Sequence, residues 1–287
     1  MTSLDDSRIA EVDTQLGIWC QGDCVVEQHW FVFRTDPSNP ITNEAAEASA
    51  ADEEAENAEA EVEGFVVVSQ TCDIVRECKD RPFVEVCPLV QVDDQDFKEI
   101  MRGSRPGYAY VPGVADRKLV ADLNRVMTVE KPVVAGWGRV QGCANDTERR
   151  ALSFALARKR SRAALPDDFV EVVRKLVSRM RSKHDKESAE GKALRSLREI
   201  RVRAAPSWDE SNVEVTLLFI RHSEEASFEG KSWDALLASW LGYIPEDTGR
   251  FEVEGQVTTL DNLIARDYVE SDPLDLGYLT IRGESLG

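Results

Sequence analysis

The chain has 287 residues, 42% hydrophobic and 31% charged, enough to bury the core of one large domain or two small ones. No apolar run approaches the ~20 residues of a membrane helix, and the opening Met1-Thr2-Ser3-Leu4-Asp5-Asp6 lacks a basic stretch followed by an apolar one, so a cytoplasmic protein without membrane partners is expected. The net charge of −18 opposes broad binding to nucleic acid, and six cysteines are too few for a disulfide framework.

In chain order, Gly22-Asp23 reads as a turn, with a short strand beginning at Val25-Val26. His29-Trp30-Phe31-Val32-Phe33 is aromatic and β-branched, the composition of a strand. From Asp36 the character changes. Residues 43–64 hold nine carboxylates and no base, with no apolar stripe to dock. Residues 36–64 are therefore expected to be a disordered acidic insert, transiently helical at most. Phe65-Val66-Val67-Val68 is a continuous apolar run, as in a buried strand, and it ends in Ser69-Gln70-Thr71-Cys72-Asp73.

Further strands are expected at Phe83–Cys87, Tyr108–Val111, Leu119–Leu123 and Val126–Val129, with a short helix over Asp93–Met101. About seven short strands in some 130 residues are spaced like a small barrel or curled sheet. A helix is expected over Glu148–Arg160. A second starts at Pro166, with Asp167 and Asp168 in its first turn and Phe169, Val172, Val173, Leu176, Val177 and Met180 along one face. From Arg149 to Arg203 there are 17 Lys/Arg against 7 Asp/Glu, a basic stretch in an acidic chain. Strands at Ile200–Arg203, Val213–Ile220 and Phe251–Val257 and a helix at Trp233–Trp240 complete an α+β reading. Leu274-Asp275-Leu276 is expected to pack back on the body. The expected organisation is a β-rich domain over 1–143 and a helical plus α+β part over 144–287.

Three features carry candidate chemistry. Thr71, Cys72 and Asp73 stand where a buried strand emerges, so a rigid scaffold can aim them, with Asp23 and Gln70 as binding groups nearby. Cys72 as a nucleophile needs a base to lower its pKa, and no local cysteine-protease signature surrounds His29, His184 or His222. The second feature is Arg158, Lys159, Arg160 and Arg162, which can neutralise phosphates, dock an acidic partner or simply end a helix where the dipole favours cations. The third is the cysteines. Cys20 and Cys24 are four apart and Cys72 and Cys78 six apart, not the Cys-x2-Cys spacing of a zinc knuckle, so no metal is expected. No Walker or dinucleotide glycine loop and no Gly-x-Ser-x-Gly elbow occurs, and no cofactor is expected.

Gly22-Asp23-Cys24-Val25, then Phe65-Val66-Val67-Val68-Ser69, then Val84-Glu85-Val86-Cys87-Pro88-Leu89 resembles the opening of MazF/PemK-type toxins, over roughly residues 20–92. The resemblance implies a small SH3-like β-barrel and metal-independent RNA cleavage, with Thr71 and an arginine in the roles those toxins use. Where those toxins have Arg-Pro before the second strand, this chain has Glu63-Gly64 at the end of a segment whose nine carboxylates would repel an RNA backbone. The leading expectation is accordingly a non-catalytic binding or regulatory protein of a bacterial stress, toxin–antitoxin or defence system (CRISPR-associated ones included), with a protein partner; RNA is disfavoured by the net charge. The alternatives are an endoribonuclease of MazF/PemK type and a cysteine-dependent hydrolase built on Cys72.

Overall fold

The structure, a computed structural model, describes residues 6–101, 103, 105–160, 165–222 and 227–274. The chain divides into two units, 1–161 and 162–287. The first contains α1 (Asp6–Leu16), β1 (Cys24–Val25), β2 (His29–Arg34), α2 (Asn43–Ala51), β3 (Asn57–Val62), β4 (Phe65–Val67), α3 (Thr71–Ile74), β5 (Phe83–Gln91), α4 (Asp94–Met101), β6 (Tyr108–Tyr110), a 3-10 turn (Pro112–Arg117), β7 (Leu119–Asp122), β8 (Met127–Glu130), α5 (Lys131–Ala135) and α6 (Asp146–Arg160). The expected boundary at 143/144 would have put α6 with the second half. Its Leu152 instead packs with Cys24, Val66, Cys87 and Leu89 of the first unit.

β4 shows why that stretch of sequence is apolar at every position. Phe65 and Val67 pack with Leu16, Trp19, Val84 and Val86, whereas Val66 and Val68 pack with Cys87, Leu89, Val111 and Leu152. Both faces of the strand are covered, so alternation has no role there. β5 is flanked on both edges: Val86 pairs with Val67 on one side and Met127 on the other. Adjacent Val86 and Cys87 are both fully buried, and from Leu89 the strand pairs with β7. The main sheet runs β1-β4-β5-β7-β6, with β8 on β5, and β2 and β3 form a separate two-stranded ladder. Among the described residues of this unit the sheets are open and antiparallel, and no closed SH3-like barrel is seen. Strand number and spacing do not separate the two cases, because closure depends on which distant edges pair.

The acidic segment 36–64, expected to be disordered, holds a helix and a strand. Thr42 caps α2, its hydroxyl accepting from the Ala45 amide at 3.2 Å. β3 pairs with β2 over six positions, from His29 opposite Val62 to Arg34 opposite Asn57. Ala58, Ala60 and Val62 are buried while Asn57, Glu59 and Glu61 are exposed, a strict period of two. The inward phase is mostly alanine, whose small side chain made the alternation invisible beside nine acids.

The second unit contains α7 (Asp167–His184), α8 (Ala189–Ser196), β9 (Leu197–Ala205), β10 (Val213–Arg221), β11 (Ser227–Phe228), β12 (Lys231–Ser232), α9 (Trp233–Leu241), β13 (Phe251–Thr259), α10 (Ala265–Val269) and β14 (Ser271–Pro273). The sheet order is β13-β10-β9-β14, with β10 antiparallel to β9 and parallel to β13, and α9 lies in the connection between the two parallel strands. The expected stripe on α7 is buried in one cluster with Val202, Val215, Leu217, Phe219 and Trp240. At about 1.5–3 kcal/mol per large apolar side chain, that stripe gives this unit its main driving force. Leu274 joins the cluster, and Asp275 and Leu276 lie outside the described residues. No helix among the described residues is long and apolar enough to cross a membrane.

Candidate functional site

The Gly22-Asp23 turn is a junction of backbones. Gly22 has φ +96°, and a Cβ there would lie 2.8 Å from Leu152 and 2.9 Å from the Cys143 sulfur. A Cβ on Gly142 would lie 1.8 Å from the Gly22 carbonyl. Asp23 is buried, and its carboxylate accepts from the Cys20 amide (2.8 Å), Arg139 Nε (2.7 Å) and the Gly142 amide (3.4 Å). Asp23, singled out in the sequence as a binding group, here ties the turn to the 139–142 segment.

Ser69 to Asp73 wraps round the end of β4 beside this junction. Ser69 Oγ accepts from the Glu85 amide at 2.7 Å, and Thr71 Oγ1 accepts from the Gln21 amide at 3.1 Å. Gln21 is held from three directions. Besides that bond, its Nε2 donates to the Val68 carbonyl at 2.8 Å and its Oε1 accepts from Ser153 of α6 at 2.7 Å. Gln70 and Cys72 are exposed, the thiol donating to Gln70 Oε1 at 3.5 Å. Lys131, at the start of α5, has no exposed surface, and its Nζ donates to the Arg76 carbonyl. Burial pulls the Lys131 ammonium below its ordinary pKa, and Cys78, Asp13 and Asp73 oppose that pull.

The basic end of α6 is spent within the first unit. Arg158 donates to the Gly103 carbonyl, Lys159 to Asn124, and Arg160 pairs with Glu85 at 3.1 Å. Three cations thus hold three different segments against the helix. Arg162 lies outside the described residues. The structure does bring two of the sequence features together, since Glu85 contacts both Arg160 and Ser69.

The surface that sequence reasoning missed is the outer face of the β2–β3 hairpin. Trp30 is 51% exposed and Val32 41% exposed, and the residues paired with them across the ladder are Glu61 and Glu59. Glu63 follows β3 and is exposed, and Arg34 at the far end pairs with Glu56 at 2.6 Å. Beneath, His29 packs against Phe65 (5.5 Å) and Trp137 (5.4 Å), and its Nε2 is buried without a hydrogen-bond partner. Burial holds the His29 pKa below its ordinary value, with Glu27 opposing. The available signal was the alternation of Trp30, Val32 and Arg34 with Phe31 and Phe33, which leaves an aromatic ring on the outward phase.

All six cysteines are free thiols, and burial raises Cys78 and Cys143 to about 11 and Cys87 to about 12. Cys24 is pushed up further, for the same reason. Among the described residues no three His, Cys, Asp or Glu side chains gather as metal ligands would. Comparisons with protein-family models, with curated proteins and with solved structures found no match.

Proposed function

We propose that the first unit is a non-catalytic docking module that takes a basic segment of a partner protein on the outer face of the β2–β3 hairpin. The observation that carries this reading is Trp30 and Val32 standing exposed on a ladder face whose paired positions are Glu61 and Glu59. An exposed indole offers a face to arginine or lysine, worth about 0.5–1 kcal/mol, and the flanking carboxylates add charge complementarity. The nine acids of residues 43–64 and the net charge of −18 extend that attraction beyond contact and speed encounter with a basic partner. Trp30 and Val32 supply the apolar anchor that distinguishes a docking face from a merely solvated acidic surface.

The test is anisotropy of a labelled peptide that alternates arginine with leucine. Saturable binding in the micromolar range, weakened at 0.5 M salt and lost in Trp30→Ser, supports the reading. Equal binding by wild type and Trp30→Ser would refute it.

An endoribonuclease remains the second reading, favoured by one observation: α6 carries Arg160 to Glu85, next to Ser69 and two residues from Thr71 in the chain. Metal-free cleavage of single-stranded RNA, abolished in Arg160→Ala, would put it first. No cleavage by the wild-type protein removes it.

A further inference from the structure

The second unit presents two very different sheet edges. β14 is a three-residue strand ending in Pro273, an edge already blunted by its length and by a residue that lacks an amide hydrogen. β13 is nine residues long, contains neither proline nor lysine, and among the described residues pairs only with β10. The Val213 amide donates to the Arg250 carbonyl at 2.9 Å, which sets the phase of this parallel ladder. Residues 252, 254 and 256 turn their amides and carbonyls toward β10, and Val253, Gly255 and Val257 turn theirs outward. Among the described residues no backbone hydrogen bond is made by the outward groups of Val253, Gly255 and Val257, while at the strand ends the Phe251 amide donates to Thr248 and the Thr259 carbonyl accepts from Asn262. An open row of this kind is a template for another strand.

We propose that β13 pairs antiparallel with β13 of a second copy of this chain, with a two-fold axis at Gly255. The sequence of the strand is self-complementary in that register. Outward-bonding Val253 faces Val257 of the second copy, and Gly255 faces Gly255, giving on the order of six interchain hydrogen bonds. The side chains of Val253 and Val257 belong to the face covered by the apolar core, so the facing valines extend that core across the axis. On the other face, exposed Glu254 stands opposite Gln256 and Glu252 opposite Thr258, so no carboxylate meets another. A shift of one pairing step toward the N-terminus puts Glu254 opposite Glu254 and is disfavoured by repulsion, and a shift the other way puts Gln256 opposite Gln256 and loses the facing of Val253 with Val257. Gly255 suits the axis for a second reason. A Cβ there would lie 2.9 Å from Leu237 and 3.0 Å from Leu241, so α9 packs closely over the centre of the strand. The resulting sheet would run through eight strands with two-fold symmetry, an isologous interface that closes.

The test is sedimentation velocity of the full chain between 1 and 200 µM, with three variants chosen to leave the β10 ladder intact. The expected species is a dimer of the 32.1 kDa chain. Gln256→Glu creates two Glu–Glu oppositions across the axis and should weaken dimerisation about tenfold, whereas Gln256→Lys creates two Glu–Lys oppositions and should tighten it by a similar factor. Val257→Pro removes an outward amide hydrogen and should give monomer. If that variant fails to fold, by circular dichroism, the two exposed Gln256 substitutions decide the matter. A chain monomeric throughout this range, or a dimer whose affinity Gln256→Glu and Gln256→Lys leave unchanged, overturns the proposal.

Discussion

The Gly22-Asp23 turn and the outer face of the β2–β3 hairpin lie in the same unit and use polar residues in opposite ways. At the turn the polar groups are spent internally, with Asp23 holding two backbone amides and Arg139, Thr71 holding the Gln21 amide, and Ser69 holding the Glu85 amide. On the hairpin, Trp30, Val32, Glu59 and Glu61 are exposed and face one another only across the ladder. Polar residues clustered at a strand end are as useful to a fold as to a reaction, because a bend frees backbone groups that must find partners. An exposed tryptophan on a regular strand serves no such structural need.

Mutations can break this contrast. Asp23→Ala should have the largest effect, about 3 kcal/mol in chemical denaturation, because it strands the amides of Cys20 and Gly142 and leaves Arg139 without its carboxylate. A loss under 1 kcal/mol would mean that the junction is held by its glycines alone. Thr71→Ala should cost about 1 kcal/mol through the Gln21 amide, and Thr71→Ser should restore it.

A pH titration probes the layer under the hairpin. The folded pKa of His29 is depressed, so its contribution to stability is present above the ordinary histidine value and is lost as pH falls through the folded pKa. Denaturation midpoints should therefore drop between pH 7.5 and pH 5.5, and His29→Gln should flatten that drop. An unchanged slope in the variant would show that His29 takes up its proton without loosening its contacts with Phe65 and Trp137. The smallest effect on stability belongs to Trp30→Ser and Val32→Ser, within about 0.5 kcal/mol of wild type, although both should lose peptide binding. A large destabilisation there would make the hairpin face a structural surface and erase the contrast.

Much of the α+β pattern was legible in the sequence. The stripe from Phe169 to Met180 has a period that only a helix buries, and the run from Phe65 to Val68 needs cover on both faces. What failed did so for identifiable reasons. In β3 the buried phase is Ala58, Ala60 and Val62, too weakly apolar to stand out from Glu59 and Glu61, so a paired strand read as disorder. Pairing of distant edges is absent from local pattern, so an open sheet read as a barrel. The basic residues at the end of α6 left phosphate binding, an acidic partner and a plain helix end open in the sequence, because the groups they contact, Gly103, Asn124 and Glu85, are far off along the chain. For the candidate site, residue type drew attention to Ser69–Asp73, where the Ser69 and Thr71 hydroxyls accept from the Glu85 and Gln21 amides. The assignment of roles needed the hydrogen bonds.

The docking face is tested most directly by exchanging its charge. Glu59→Lys combined with Glu61→Lys should abolish binding of the arginine–leucine peptide and create binding of a glutamate–leucine peptide, both reading out as anisotropy with the fold unchanged by circular dichroism. If the double variant keeps the basic peptide with wild-type affinity and ignores the acidic one, the hairpin is not the surface on which the partner lands.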